Sequence, residues 1–241
     1  MPYGNTLEDV KKNKTHPNEI QTKYGSRKTI VNEPEFSLEQ FTFNSGYKGM
    51  PNISGGVLFV ESGKVTITTD DLKDDLVITK QNSITIPKNL IYAIVIKEDT
   101  LCYLFSTPYF NPESIKIIPT FNHLDKYWGK IENIFSNEHL AAKRIIKNPN
   151  TKSSLEYHLN KKEAYIVQSG KIKVGLRIGR AKNHSIELNT GDVFLIPPGI
   201  MHMRLGIEQS VIIEISTKDD DSDSKLVEDG KTYVHKEEST Q

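Results

Sequence analysis

The sequence of 241 residues predicts an all-β protein made of two similar barrels in tandem. Residues 63–68 and 101–105 alternate with a period of two and are rich in β-branched and aromatic side chains, as half-buried strands are. Turn-forming residues interrupt such runs every ~8–12 residues, which is the rhythm of a barrel or a sandwich. Helix is sparse, and we expect only short helical turns in residues 6–14 and near 111–117.

The tandem arrangement follows from an internal repeat. Lys23-Tyr24-Gly25 leads to a Ser-Gly turn at 62–63, and Lys126-Tyr127-Trp128-Gly129 leads to a Ser-Gly turn at 169–170. Each copy then continues through apolar strands to a corner containing proline, and the common order indicates a duplication. The expected organisation is an N-terminal arm (1–22), a first barrel (23–110), a linker (111–125), a second barrel (126–217) and an acidic C-terminal segment (218–241).

The overall composition argues against several classes of protein. Lys plus Arg and Asp plus Glu both number 31, so no net field attracts nucleic acid or a membrane surface. Cys102 is the only cysteine, which rules out an intrachain disulfide and any CxxC motif. The first residues have no apolar signal segment, and no apolar run reaches membrane-spanning length. We therefore expect a cytoplasmic protein whose partner is a small molecule.

Four potential metal ligands are concentrated in the second copy. Glu156 and His158 are two residues apart, so on a strand their side chains project from the same face. Glu163 opens the next β-rich run, and His202 follows a Pro/Gly corner at 197–199. Two imidazoles and two carboxylates suit Zn, Fe(II), Mn, Co or Ni. A lone histidine is more often an ordinary half-buried residue, but four donors that share one template predict a site for one divalent metal.

The first copy has no equivalent ligands. Aligning the Ser-Gly turns and the proline corners of the two copies puts Gly49, Pro51, Gly56 and Tyr92 opposite the four donors. Residues 40–107 contain no histidine at all. We therefore interpret the first barrel as a degenerate, structural one, although its pocket could still bind a small molecule.

The C-terminal half resembles a cupin. Within that superfamily it is most similar to the barrel of type II mannose-6-phosphate isomerase, which occurs alone or fused behind a mannose-1-phosphate guanylyltransferase. The resemblance covers residues 126–233 and rests on Tyr127-Trp128-Gly129, on Ser154-Leu155-Glu156-Tyr157-His158 and on Ile213-Glu214-Ile215. It implies two tandem jelly-roll (double-stranded β-helix) barrels, that is, a bicupin, and isomerisation of an aldose phosphate to a ketose phosphate. It also implies a homodimer, because cupins often associate through barrel edges.

Three positions depart from the family pattern. Glu156 replaces a glutamine and adds a negative charge. Lys161 replaces an arginine and Lys225 corresponds to a second one, and lysine cannot reproduce the bidentate grip of arginine on a phosphate. If Glu156 does not bind the metal, it is the first candidate for the general base, and Lys161 is the second. We expect three further polar residues to contact the substrate: Lys143, Ser154 and Arg204.

Three functions remain open on this basis. The first is a metal-dependent enzyme acting on a sugar or sugar phosphate, as the resemblance implies. The second is a non-haem Fe(II) dioxygenase of the bicupin type, which would use the same ligand set. The third is a non-catalytic sugar-binding or metabolite-binding protein, which the degenerate first barrel and Lys161 would suit.

Overall fold

The computed structural model describes residues 6–53, 55–118 and 122–234. They form two compact units, one of residues 17–53, 55–118 and 122 and the other of residues 6–16 and 123–234. Parts of the expected arm (1–5), linker (119–121) and C-terminal segment (235–241) lie outside the described residues. No helix in the described ranges has the length and apolar character needed to cross a membrane.

The chain begins with a short helix, α1 (Leu7–Lys11), and a short strand, β1 (Lys14–Thr15). The Thr6 hydroxyl accepts a hydrogen bond from the Asp9 amide, and the Asp9 carboxylate accepts one from the Thr6 amide, so a capping box starts the helix. The helix ends earlier than residue 14 because β1 pairs with a strand of the second barrel. Residues 116–118 are likewise a strand and not the helical turn expected there.

The first barrel consists of eleven strands that form two antiparallel sheets. They are β2 (Ile20–Thr22), β3 (Gly25–Asn32), β4 (Ser37–Phe43), β5 (Lys48–Gly49), β6 (Gly56–Ser62), β7 (Lys64–Thr68), β8 (Leu76–Thr79), β9 (Ser83–Ile86), β10 (Ala93–Ile96), β11 (Thr100–Ser106) and β12 (Lys116–Ile118). The larger sheet has the order β12-β9-β6-β11-β4-β3-β2, and the smaller has the order β5-β10-β7-β8.

The second barrel repeats this arrangement. Its strands are β13 (His123–Lys126), β14 (Gly129–Ser136), β15 (Ala141–Lys147), β16 (Leu155–His158), β17 (Glu163–Ser169), β18 (Lys171–Arg177), β19 (His184–Asn189), β20 (Val193–Ile196), β21 (Met201–Gly206), β22 (Ser210–Ser216) and β23 (Ser224–Glu228), with a 3₁₀ turn at Asp221–Asp223. The sheet orders are β1-β20-β17-β22-β15-β14-β13 and β19-β18-β21-β16-β23. Six strands of the larger sheet match those of the first barrel in order, which confirms two tandem barrels. The outermost strand differs, because β12 follows the first barrel in the chain whereas β1 comes from the N-terminal residues.

The interior of the first barrel is filled by apolar and aromatic side chains. Tyr24, Phe41 and Phe43 pack together, with ring centroids 5.1 to 6.3 Å apart. Tyr92, which aligns with His202, is buried and donates a hydrogen bond from its hydroxyl to the Ile53 carbonyl at 2.5 Å. The position of a potential metal ligand is thus used for packing in this barrel.

Both barrels need glycine at the same turn. Gly63 and Gly170 have φ angles of 79° and 81°, in the region that favours glycine. A Cβ at Gly170 would lie 2.3 Å from the Gln209 carbonyl oxygen. Because this oxygen belongs to the backbone, it cannot move aside as the end of a flexible side chain could. The turn therefore has no room for a residue other than glycine.

We expect Gly170→Ala to lower the free energy of unfolding by about 2 kcal/mol or more, because it combines a strained φ with a backbone clash. Gly179→Ala is the matched control, since Gly179 also has a positive φ, 57°, but an added Cβ meets nothing within 4 Å. Its cost should be about 1 kcal/mol. Urea denaturation of both variants measures the difference, and equal costs would contradict the role of the clash.

Candidate metal centre

Three strands of the second barrel position the predicted metal ligands. Glu156 and His158 lie on β16, His202 lies on β21, and Glu163 is the first residue of β17. Glu156 pairs directly with His202 across the β16–β21 ladder, which brings an acidic and an imidazole side chain together. His158, Glu163 and His202 are buried, whereas Glu156 is half-buried.

The four side chains meet in one cluster. Glu156, His158 and His202 each offer a ligand atom within 4.8 Å of the other two. Glu163 joins them, because its Oε1 lies 2.8 Å from His202 Nε2 and its Oε2 lies 3.8 Å from His158 Nε2. Metal bonds of about 2.0–2.2 Å to such donors place neighbouring ligand atoms roughly 3 Å apart. The spacing therefore suits a divalent cation.

The polar atoms of the two histidines also fit a metal. His202 Nδ1 lies 2.9 Å from the Ile200 carbonyl oxygen, so in the neutral ring Nδ1 carries the proton and Nε2 presents a lone pair. Nε2 is close to Glu163 without the alignment of a hydrogen bond, and the buried His158 Nδ1 has no hydrogen-bond partner within the described ranges. A buried nitrogen atom without a hydrogen-bond partner lowers the stability of the folded protein unless another group, such as a metal ion, interacts with it.

The ionisation of the cluster also suits a cation. Burial lowers the pKa of His158, which keeps its imidazole neutral. Burial alone would raise the pKa of Glu163, but the Lys161 ammonium and His202 hold it well below its usual range. Burial would lower the pKa of His202, yet the Glu163 carboxylate raises it. A divalent ion competes with that proton for the same two residues, as metals do at such sites.

A network of buried polar side chains forms a hydrogen bond and an ion pair with the Glu163 carboxylate. Tyr165, two residues further along β17, donates a short hydrogen bond to Glu163. Arg204 Nη1 in turn donates to the Tyr165 hydroxyl at 2.8 Å and to Glu214 at 3.1 Å. Lys161 Nζ lies 2.9 Å from Glu163 and 3.3 Å from Glu214. Every charge in this network is paired, which is what buried charges require.

Three residues of the cluster, Glu156, His158 and Glu163, line a cavity of about 770 Å³ in the second barrel, whereas His202 does not line it. The three expected substrate-binding residues, Lys143, Ser154 and Arg204, line the same cavity. Lys143 is half-buried, whereas Arg204 is buried and already engaged with Tyr165 and Glu214. The only tryptophan, Trp128, also lines the cavity. The structure thus brings the predicted metal and substrate residues together.

Sequence reasoning missed three residues of this cavity region. Tyr165 is not among the predicted site residues, Glu214 is predicted only as part of a similarity motif, and Asp219 only as part of an acidic segment. The i, i+2 spacing of Glu163 and Tyr165 on one strand was a usable signal. Nothing local in the sequence indicates the other two contacts, because they join segments more than 50 residues apart.

Part of the acidic C-terminal segment belongs to the second barrel. Asp223 accepts hydrogen bonds from the backbone amides of Leu159, Asn160 and Lys161 and so stabilises the turn between β16 and β17. Strand β23 then pairs with β16, the strand that carries Glu156 and His158. The segment thus helps to position the ligands on β16.

Comparison with known proteins shows what the sequence resembles. The sequence profile of the Cupin family matches residues 130–234. Mannose-1-phosphate guanylyltransferase 2 of Escherichia coli O157:H7 is 25% identical over 170 residues, which are 68% of this chain and 30% of that protein. The chain thus spans less than a third of the length of that curated relative.

Solved structures of Bacillus subtilis oxalate decarboxylase are similar in fold. One that addresses the Mn(II) centres of that enzyme has a TM-score of 0.65 at 14% identity and covers 89% of this chain and 79% of its own. A mutant of the same enzyme has a TM-score of 0.67 at 13% identity, with the same shares. The profile match lies in the second barrel and the similarity in fold extends over both barrels, so the chain has the fold of two tandem cupin barrels, a bicupin fold.

Proposed function

We propose that the protein is a metal-dependent isomerase that interconverts an aldose and a ketose, either free or phosphorylated. The observation that carries the proposal is a cluster of two buried imidazoles, one buried carboxylate and one half-buried carboxylate, three of which line a polar cavity. The relative named for mannose 1-phosphate supports a sugar-type ligand. The cavity volume of about 770 Å³ suits a small molecule of this class.

The proposed ligands of the metal are His158, Glu163 and His202, and the Glu156 carboxylate lies in the same cluster. When bound, a divalent ion polarises a carbonyl and its adjacent hydroxyl and stabilises negative charge on oxygen. The protein must additionally move a proton between two neighbouring carbons of the sugar, through an enediol. That step needs a side chain that is exposed to the cavity and able to accept a proton.

The two candidate bases differ in their ability to accept a proton. Burial alone would lower the pKa of Lys161, but Glu163, Glu214 and Asp219 raise it well above its ordinary value. Lys161 is therefore a permanent ammonium group, which favours a role in balancing charge. Glu156 is half-buried, lines the cavity and accepts a hydrogen bond from Ser224 Oγ at 3.0 Å. We assign Glu156 as the base.

We expect the metal-loaded protein to form a ketose from mannose or mannose 6-phosphate, and Glu156→Gln to lower kcat by at least about 100-fold. Zn, Mn, Fe(II), Co and Ni are tested in turn, and the ketose is measured directly. Glu208→Gln is the matched control, because Glu208 is exposed and lies outside the cavity lining. Its kcat should equal that of the wild type.

Absence of ketose with every metal would contradict the isomerase. Substrate-dependent oxygen uptake confined to the iron-loaded protein would instead favour a non-haem dioxygenase. Saturable sugar binding without turnover, unchanged in Glu156→Gln, would favour a binding protein.

A homodimer and a cytoplasmic location stay proposals. The dimer is supported by β13, which lies at one edge of the larger sheet of the second barrel and is exposed along its length. An edge of this kind can pair with a second copy.

A further inference from the structure

We propose that the cavity binds an uncharged polyhydroxy compound, such as a free aldose, and that Asp219 is the residue that excludes phosphorylated ones. The inference rests on the proposed function, from which the sugar-type ligand is taken. It selects the free sugar over the phosphorylated sugar, both of which the proposed function includes.

Asp219 occupies the place where a phosphate group would bind. Its carboxylate lies 2.6 Å from Lys143 Nζ and 3.0 Å from Lys161 Nζ, so it bridges the two ammonium groups. Burial opposes its ionisation, but the two lysines lower the pKa of Asp219 below its ordinary value. It is therefore a carboxylate at neutral pH, and a phosphate oxygen would have to displace it from both cations.

The segment that carries Asp219 is held on both sides. On one side, the Thr217 amide donates to the Lys162 carbonyl at 3.0 Å, and the Lys162 amide donates to the Thr217 hydroxyl at 3.1 Å. On the other side, Asp223 accepts hydrogen bonds from the turn at 159–161. These hydrogen bonds fix the backbone on both sides of Asp219. Its carboxylate therefore has a defined position in the cavity wall.

The other cations of the cavity leave no strong site for a dianion. Glu214 lies 3.7 Å from Lys143 Nζ and 3.3 Å from Lys161 Nζ, and it also pairs with Arg204. Only Lys126 has no ion pair within the described ranges, and it is exposed on the strand β13. Phosphate recognition usually depends on cations that are free to pair with it.

The charge balance of the lining leads to the same conclusion. Its cations are Lys126, Lys143, Lys161 and Arg204, and its carboxylates are Glu156, Glu163, Glu214, Asp219, Asp220 and Asp221. Four positive and six negative charges leave a formal balance of −2, which a divalent metal would bring to zero. The potential therefore offers no attraction for a phosphate dianion. Hydroxyl groups, in contrast, can donate hydrogen bonds to carboxylates.

Binding can be tested without turnover, because the only tryptophan of the chain, Trp128, lines the cavity and reports on its occupancy by fluorescence. The Zn-loaded protein is titrated with mannose, mannose 6-phosphate and inorganic phosphate. We expect wild-type protein to bind mannose at least about 10-fold more tightly than either phosphate compound. Asp219→Asn should bind inorganic phosphate at least about 10-fold more tightly than wild type, since it removes the carboxylate charge that bridges Lys143 and Lys161.

Asp221→Asn is the matched control. It removes the same charge from the same segment, but Asp221 is exposed and makes no ion pair within the described part of the chain. Its affinity for phosphate should stay within about 2-fold of wild type. An equal gain in both variants, or no gain in Asp219→Asn, would overturn the role of Asp219.

Tighter binding of mannose 6-phosphate than of mannose by the wild-type protein would overturn the substrate class, and this comparison needs no variant to fold. The outcome is separate from that of the isomerase assay. A protein that binds mannose selectively but forms no ketose would contradict the proposed reaction and support the proposed selectivity.

Discussion

His202→Ala is expected to lower the affinity for a divalent metal by more than about 100-fold and to abolish stoichiometric binding. His202 is completely enclosed, its Nδ1 is held by a carbonyl, and its Nε2 is directed at the cluster of Glu156, His158 and Glu163. No other imidazole nitrogen of the cluster can replace it. Elemental analysis after dialysis, followed by competition with a chelator, measures the loss.

His123→Ala is the control for this substitution, since His123 is an exposed histidine on β13 and does not line the cavity. It should retain one metal per chain. Metal should also raise the midpoint of thermal unfolding of the wild type, because an ion at 1,000 times its Kd stabilises the native state by about 4 kcal/mol. A His202→Ala protein that keeps one tightly bound metal and this stabilisation would contradict the assignment.

Lys147→Met is expected to stabilise the protein, and increasingly so as the pH falls from 10 to 6. Lys147 ends β15 with its side chain fully buried, and its Nζ has no hydrogen-bond partner within the described residues. The amine lies 4.7 Å from the centre of the Trp128 ring. Burial first, and then the neighbouring charge of Arg204, lower the pKa of Lys147 from 10.5 to about 6.

The direction of the effect follows from proton binding. Between pH 6 and pH 10.5 the unfolded chain protonates this lysine while the native chain keeps it neutral. The unfolded state therefore binds more protons, and the stability of the wild type rises with pH by up to about 1.4 kcal/mol per pH unit over this interval. Methionine has no such proton and packs well against an aromatic ring.

Urea denaturation of the wild type and of Lys147→Met at one-unit intervals from pH 6 to pH 10 measures this difference. The gain should be largest at pH 6 and nearly vanish at pH 10. Lys171→Met serves as the control, because Lys171 is partly exposed to solvent and its ammonium group pairs with Glu187 at 3.4 Å. A gain for Lys147→Met that does not change with pH would show that its amine is charged in the native protein.

The architecture and the ligand set could be predicted from the sequence because both depend on local patterns. A period of two identifies strands, and the repeated Ser-Gly turns reveal the duplication, since Gly63 and Gly170 are the positions where only glycine fits. Glu156 and His158 share a face because they are two apart on one strand.

The tertiary structure decided how these ligands are supported and what else the cavity contains. Glu214 and Asp219 reach Lys161 from more than 50 residues away, through the pairing of β17 with β22 and the segment that follows β22. The burial of Lys147 and the ionisation of Lys161 likewise depend on neighbours from other strands. The sequence by itself determined the two barrels and the four candidate metal ligands, because alternation and turns are local. Charge pairing, burial and the selectivity proposed for Asp219 arise only after distant strands have paired.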